Sequence, residues 1–144
     1  MRRFVRVAAA IVLAATALVA ACTDTPATPS ANVPYSQTDL VVGSGADALS
    51  GTSMTVNYTG WLYDTSKADH KGLMFDTSIG KTPFSFTLGA GQVIKGWDQG
   101  VVGMKVGGTR ELVIPPSLAY GSTRSGVIPP NATLLFDITL VSIP

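Results

Sequence analysis

Two residue types that carry much of protein catalysis are almost missing from this chain. Its 144 residues include one cysteine, Cys22, and one histidine, His70. Cys/His zinc sites and Cys-His nucleophilic pairs therefore have too few ligands or partners. A Ser-His-Asp triad would need His70 as its base, but His70 lies in the polar stretch TSKADHKG and no nucleophile-elbow motif accompanies it. Since no glycine-rich phosphate loop is present either, the sequence predicts no metal site and no cofactor.

Charged residues are also scarce, at 13% of the chain against 46% for hydrophobic residues. Arg2, Arg3 and Arg6 all lie near the N-terminus. Beyond Cys22, seven Lys and Arg face nine Asp and Glu, so the net charge there is about −2. This composition is typical of a globular chain. No basic patch with interleaved aromatics remains, which argues against nucleic acid as a partner.

The N-terminus has the features of an export signal. The cationic start MRRFVR precedes an apolar run over residues 7–21 that is broken only by Thr16. A run of about fifteen residues is shorter than the roughly 20 that span a bilayer as a helix. This pattern predicts a signal peptide over residues 1–21. The alternative is a buried N-terminal helix, although three arginines and a uniformly apolar surface fit an amphipathic helix poorly.

The signal segment ends at Val19-Ala20-Ala21-Cys22, which resembles the bacterial lipobox. In that motif the cysteine becomes the first residue after cleavage and carries the lipid. An unpaired thiol is unusual in an exported protein, and lipidation accounts for it. Acyl chains contribute about 0.8 kcal/mol per buried CH₂, enough in combination to hold a small domain at a membrane. Cys22 is thus the predicted lipidation site, with ordinary cleavage and a soluble secreted domain as the alternative.

A tether separates this site from the folded part of the chain. Residues 23–37 (TDTPATPSANVPYSQ) are rich in Pro, Ser, Thr and Ala and show neither helical nor strand periodicity. A flexible coil of that length spans roughly 20 Å. We therefore expect the lipidated cysteine and linker over residues 22–37 and one folded domain over residues 38–144.

Alternating hydrophobicity predicts the strands of this domain. In three segments the apolar members alternate with polar ones, and these are Met54, Val56 and Tyr58, then Phe84, Phe86 and Leu88, and finally Leu134, Phe136, Ile138 and Leu140. Thr109 to Ile114 is a fourth candidate and Leu40 to Gly43 a fifth.

One interval has helical spacing instead. Ile94, Trp97, Val101 and Met104 recur every three or four residues, and Gly103 and the glycine pair at 107–108 act as stops. So many glycines make a poor isolated helix, so packing must hold it. The predicted fold is α+β, a curved antiparallel sheet wrapped around one short α-helix.

Aromatic and aliphatic side chains lie at the strand ends and around this helix. The candidates for a binding pocket are Tyr58, Phe75, Phe84, Val93, Ile94, Trp97, Tyr120, Val127, Ile128 and Phe136. Taken singly, each of them is more consistent with the hydrophobic core than with a site, because most such residues in an antiparallel sheet are core. Composition alone indicates only an apolar-rich α+β domain.

Four longer segments of the sequence are ordered motifs. The segments VNYTGWL (56–62), FDTS (75–78), PFSFTLGAGQVIKGWDQGVVGMKVGGTRELVIPPSLAYG (83–121) and GVIPPNATLLFDITLVSI (126–143) resemble the FKBP family of peptidyl-prolyl cis-trans isomerases. The similarity is collinear over roughly residues 38–144. It implies an FKBP-like half-barrel around one helix and rotation about X-Pro bonds as the activity.

The resemblance also implies residue roles. Trp97 would be the floor under the proline ring, and the walls would be Tyr58, Phe84, Val93, Ile94 and Phe136. Tyr120 and Ile128 would form the rim, and Phe75 and Val127 would be further substrate-binding residues. The catalytic set would be Asp76, Tyr120, Ile94 and Trp97, with the Ile94 N–H donating to a substrate carbonyl. An X-Pro amide needs no nucleophile, metal or cofactor to rotate, because the barrier of about 18–20 kcal/mol comes from resonance.

Two segments depart from the family pattern. The stretch between Gly60 and Phe75 is longer than in minimal relatives, and its residues 63–74 are predicted to form a surface loop, either solvated or touching substrate. Residues 76–83 (DTSIGKTP) lack the arginine often found there beside the pocket aspartate, and Lys81 is the only nearby cation. This predicts that Asp76 is oriented less firmly.

The functional alternatives are a folding catalyst for exported proteins and a chaperone module that binds proline-containing segments with incidental catalysis. The resemblance implies proline-containing polypeptides as partners and tacrolimus- or rapamycin-type macrolides as inhibitors. The leader adds a membrane contact through the lipid anchor, on the periplasmic face of the bacterial envelope and at the outer membrane in a diderm cell. We expect a monomer.

Overall fold

The computed structural model describes residues 33–144, and the predicted signal peptide, Cys22 and most of the linker lie outside them. Six strands and one helix form the domain, and they are β1 (Ser36–Val41), β2 (Ser53–Tyr63), β3 (Lys71–Thr77), β4 (Phe84–Thr87), α1 (Lys95–Gly100), β5 (Thr109–Ile114) and β6 (Leu134–Ser142). A short 3₁₀ turn covers Pro116–Leu118.

All strand pairs in the sheet are antiparallel, in the order β1-β5-β6-β2-β3. The long strand β2 is the centre of this arrangement. One of its edges pairs with β6, while the other pairs with β4 along residues 53–56 and with β3 along residues 59–63. β3 and β4 therefore share one edge of the sheet, and β1 forms the other.

The core lies between the sheet and α1. Alternate residues of β2, β5 and β6 are buried, among them Val56, Leu112 and Ile138, and they pack with Trp97 and Val101 from the helical segment. Burying a side chain of this size contributes about 1.5–3 kcal/mol. Packing of this kind stabilises a six-residue helix that would not persist alone.

The α+β prediction is confirmed, including the sheet around one short helix. Strand β5 coincides with the predicted segment, β2 and β6 contain two of the three alternating segments, and β4 contains the third except for Leu88, which follows its last residue. The alternation in β6 is incomplete, because Leu135 is buried as well on the opposite face of the sheet.

Three local predictions were wrong in extent. The helix ends at Gly100, and Met104 lies past a turn in which Gly103 has a φ of 83°. β1 covers Ser36–Val41 instead of Leu40 to Gly43, so it begins before the domain start drawn at residue 38. Residues 71–74, predicted as loop, belong to β3, because β2 provides a pairing partner that local periodicity does not reveal.

Within residues 33–144, no helix has the length and hydrophobicity needed to cross a bilayer.

Candidate active site

A cavity of about 180 Å³ opens on the helix side of the sheet. Strands β2, β3, β4 and β6, helix α1, the segment before it and the loop after β5 all contribute to its lining. The lining residues are Tyr58, Phe75, Asp76, Phe84, Gln92, Val93, Ile94, Trp97, Tyr120 and Phe136. Nine of these ten residues are predicted site residues. The fold brings them together from positions up to 78 residues apart along the sequence.

Trp97 is the buried centre of the aromatic lining. Its ring meets Tyr58 at 5.1 Å and 77°, and Phe136 at 5.3 Å and 88° between ring planes. Phe84 adds a third edge-to-face contact at 6.2 Å. Edge-to-face pairs of this kind contribute about 0.5–1.5 kcal/mol beyond area burial. The rings therefore hold one another and form a rigid apolar site.

Asp76 and Tyr58 form the polar side of the cavity. The Tyr58 hydroxyl donates to Asp76 Oδ2 at 2.5 Å, and the Thr77 amide donates to Asp76 Oδ1 at 2.9 Å. Burial, the hydrogen bond to Asp76 and its charge raise the pKa of Tyr58 to about 12. Tyr58 consequently stays protonated and donates at neutral pH. Both carboxylate oxygens of Asp76 have partners, so the orientation expected from an arginine comes from Tyr58 and Thr77.

Ser78, the last residue of the FDTS motif, connects the end of β3 to β2. This buried side chain accepts from the Tyr58 amide at 2.9 Å and donates to Asn57 Oδ1 at 3.0 Å. The Ser78 amide also donates to the Tyr58 carbonyl at 2.9 Å. Through these bonds the end of β3 is fixed against the part of β2 that carries Tyr58.

Gln92 is the lining residue that the sequence did not indicate. Its Oε1 accepts from the Thr87 amide at 2.9 Å, across the turn between β4 and α1. The Asp98 carboxylate accepts from the amides of Gly89 at 2.9 Å and Gly91 at 3.2 Å. Both glycines have positive φ, as such a turn requires. The run GAGQ between a strand and a helix is the signal that could have indicated this wall.

The helix start presents backbone donors to this region. Ile94 is the N-cap of α1, has extended backbone geometry and provides no side-chain cap. N–H groups at a helix start have no intrahelical acceptor. The lining position of Ile94 is thus compatible with donation from its N–H to a bound carbonyl.

Two predicted site residues are not among the lining residues. Ile128 is buried in the core cluster, and its backbone pairs with Ser125 across a turn at Gly126. Val127 is exposed within the same turn. Because this turn directs the Ile128 side chain into the core, the rim consists of Tyr120 and Phe84, which are both partly exposed. Contacts of Val127 and Ile128 with substrate stay predictions.

Cys22 lies outside the described residues. Among residues 33–144, no group of three or more His, Cys, Asp and Glu is arranged to hold a metal ion.

The fold and the cavity together define a class of small domain in which a curved antiparallel sheet holds an aromatic site over the tryptophan of one helix. Residues 45–141 match the family model described as FKBP-type peptidyl-prolyl cis-trans isomerase. The FK506-binding protein of Neisseria meningitidis serogroup A is 48% identical over 107 residues, which cover 73% of this chain and 92% of the relative. The FK506-binding protein 1B of Neurospora crassa is 46% identical over 101 residues, which cover 69% and 89%.

Solved structures agree with this result. The crystal structure of AtFKBP13 superposes with a TM-score of 0.64 at 38% identity, covering 76% of this chain and 93% of that one. FkpA from Escherichia coli gives a TM-score of 0.63 at 39% identity, covering 76% and 47%. The chain therefore belongs to the FKBP family and is a peptidyl-prolyl cis-trans isomerase. The resemblance seen in the motifs is confirmed.

Proposed function

We propose that the cavity over Trp97 binds the proline ring of an X-Pro segment and accelerates rotation about its amide bond without covalent chemistry. The observation that carries this proposal is the rigid aromatic lining around Trp97 beside one ordered carboxylate, Asp76. Proline is the residue whose ring and slow isomerisation fit such a site.

Desolvation supplies the rate acceleration. The planar amide owes its barrier of about 18–20 kcal/mol to resonance, which also separates charge between oxygen and nitrogen. At the twisted transition state this resonance is lost, so the amide is less polar than in its planar ground state. An apolar cavity such as that formed by Trp97, Phe136 and Phe84 favours the less polar state relative to water.

The polar groups orient the peptide. In this mechanism the Ile94 N–H and the Tyr120 hydroxyl donate to substrate carbonyls on either side of the proline. Asp76, held by Tyr58 and Thr77, faces the rotating carbonyl with a fixed negative charge. This charge disfavours the planar amide, whose oxygen is more negative, and so adds to the effect of desolvation.

The biological role that we propose is assistance to the folding of exported proteins. The cationic leader and the lipobox-like end at Cys22 support export and lipid anchoring at the periplasmic face of the envelope. Threonine follows Cys22, and the absence of an aspartate there favours the outer membrane in a diderm cell. The proposed state is a monomer on a flexible tether.

Binding of tacrolimus- or rapamycin-type macrolides is part of the proposal, since relatives at 46–48% identity are named FK506-binding proteins. The alternative function considered from the sequence is a module that binds proline-containing segments, with incidental catalysis. The full aromatic lining favours catalysis over that alternative.

The test is prolyl isomerisation of a short X-Pro peptide by residues 23–144, with a macrolide titrated into the reaction. We expect acceleration that the macrolide abolishes at one equivalent per domain. A folded domain that binds the macrolide but does not accelerate isomerisation would support the binding module instead.

A further inference from the structure

We propose that the open edge of β3 is a second contact site for the client polypeptide, which adds to the sheet there as an extended strand. The proposal rests on the function proposed above and extends it from the X-Pro bond to the residues that flank it.

The first observation is an unprotected sheet edge. Among the described strands, β3 pairs with β2 alone, so its other side has no strand partner. At the two ends of β3, the amides of Lys71 and Thr77 donate to the carboxylates of Asp69 and Asp76. Proteins usually protect such an edge with charges, proline or very short strands. β3 has seven residues and no proline. An extended peptide can therefore pair with its backbone.

The second observation is the exposed apolar pair at the centre of β3. Leu73 is 62% exposed and Met74 is 53% exposed. Two register shifts interrupt the pairing of β3 with β2, one on either side of Trp61. Bulges re-aim side chains, and both neighbouring side chains are more than half exposed here. The pair presents an apolar surface for client side chains.

The charged residues of β3 are engaged elsewhere. Lys71 Nζ lies 2.7 Å from Asp137 Oδ2 and 3.7 Å from Glu111 Oε2, and 4.6 Å above the Trp61 ring. Asp76 is held by Tyr58. No charge thus stands between Lys71 and Asp76 to repel an apolar strand.

The third observation is continuity with the active site. Phe75 and Asp76, which line the cavity, directly follow Met74 in the same strand. A strand rises about 3.3 Å per residue, so Leu73 lies roughly 10 Å from Asp76. A client whose proline occupies the cavity therefore reaches Leu73 with its third or fourth flanking residue.

An unfolded polypeptide is the occupant that these features fit. Backbone pairing with an edge strand tolerates almost any sequence, and an apolar pair favours the hydrophobic residues that unfolded chains expose. Contact at a second site raises the local concentration of the X-Pro bond at the cavity without changing the chemistry.

The experiment compares the turnover of two substrates by the wild-type protein and by one double variant. L73S/M74S removes the apolar pair, and both side chains are more than half exposed, so the fold should persist. One substrate is a tetrapeptide, which is too short to reach Leu73 from the cavity. The other is a peptide of about twelve residues with the same X-Pro bond and apolar flanks. We expect a fall of about tenfold in kcat/KM for the long peptide, through KM, and unchanged turnover of the tetrapeptide.

A matched control lies on the opposite sheet edge. Leu40 and Val41 of β1 are 49% and 54% exposed, and L40S/V41S removes a similar apolar pair. It should leave both substrates unaffected. Equal loss in the two double variants, or no loss for the long peptide in L73S/M74S, would overturn the proposal. If the wild-type protein did not accelerate isomerisation of the tetrapeptide, that result would instead contradict the proposed function.

Two further measurements keep the inference testable if L73S/M74S does not fold. Methylation of alternate backbone nitrogens in the flank of the long peptide should reduce its kcat/KM with wild-type protein to that of the tetrapeptide. Undiminished turnover of both methylated registers would argue against strand addition. A second copy of this chain is the other occupant, and a dimer seen by sedimentation that L73S/M74S abolishes, with no effect on the long peptide, would also overturn the proposal.

Discussion

At the scale of single residues, Gly60 shows how closely the cavity wall is packed. A Cβ at this position would lie 2.6 Å from Phe75 Cζ and 2.7 Å from Phe136 Cε1, far closer than real contacts. Both rings line the cavity and meet edge to face at 5.5 Å. The glycine of the VNYTGWL motif is therefore required by the aromatic rings above it, because any side chain would push them into the site.

We expect Gly60→Ala to lower kcat/KM and macrolide affinity by about tenfold and to destabilise the domain by about 1–3 kcal/mol, the usual cost of overpacking. Peptide isomerisation, macrolide titration and urea unfolding measure the three effects. Adding Phe75→Leu should recover part of the stability, since it makes room for the methyl group. Wild-type affinity in Gly60→Ala would show that the rings move without affecting the site.

Tyr58 and Asp76 act as one unit at this scale. Tyr58→Phe removes the donor to Asp76 Oδ2, and a hydrogen bond to a charged group contributes about 1.5–3 kcal/mol. We expect turnover to fall by about tenfold while the fold persists. The Asp76→Asn variant should show a similar loss, and the double variant should lose little more than either single one. Additive losses would separate the two residues functionally.

The same pair gives a prediction for pH. Because the pKa of Tyr58 is about 12, this phenol stays protonated at about pH 10.5, where an ordinary tyrosine with a pKa near 10 is largely ionised. Raising the pH from 7 to about 10.5 should therefore increase tyrosinate absorbance equally in wild type and Tyr58→Phe. A larger increase in the wild type would mean that Tyr58 titrates normally.

At the scale of elements, Arg110 connects three parts of the fold. This buried side chain of β5 donates through Nη1 to the carbonyls of Gly100 at 2.8 Å and Val102 at 3.0 Å, at the end of α1. Its Nε and Nη2 donate to the two carboxylate oxygens of Asp39 in β1 at 2.6 and 3.2 Å. α1 has no basic residue in its own last turn, so a strand neighbour provides its C-terminal partner.

Asp39 makes this connection depend on pH. The hydrogen bond from Arg110 lowers the pKa of Asp39, against a smaller opposing effect of burial. A lowered pKa in the folded state means that the stabilisation is present above the ordinary value of 3.8 and is lost as the pH falls through the folded-state value. We expect Asp39→Asn to be less stable than wild type in urea at pH 7, and we expect this difference to be smaller at about pH 2, below the ordinary pKa of 3.8. A constant difference at both pH values would assign the effect to packing.

At the scale of the whole molecule, the domain combines a closed core with two different sheet edges. β1 ends one side of the sheet and is tied down by Asp39, whereas β3 ends the other beside the cavity. The chain enters the domain at β1, whose first residue is Ser36, only fourteen positions after Cys22. In the proposed anchored form, the short tether keeps the active site within a few nanometres of the membrane.

The anchor is tested by Cys22→Ala. We expect this variant to leave the membrane fraction, since the acyl chains would be lost, while isomerase activity per molecule stays unchanged. Thr23→Ala is the matched control and should remain membrane-bound. Cys22→Ala that still sediments with membranes after a high-salt wash would contradict the lipoprotein proposal.

The amino-acid sequence by itself determined the strands with clear alternation, such as β2 and β5, and the position of the helix around Trp97. It also determined most of the cavity, because the ordered motifs carry Tyr58, Asp76 and Phe136 together. These features are local or follow from collinear similarity, so no knowledge of long-range pairing was needed.

Only the tertiary structure decided which apolar residues face the cavity and which face the core. Phe84 and Ile128 have similar hydrophobicity, but one is at the rim and the other is packed inside, because a turn at Gly126 redirects the second. β3 exists because β2 pairs with it, and Asp76 is oriented by a tyrosine eighteen residues away. Such outcomes depend on contacts between distant segments, and these contacts arise only when the sheet assembles.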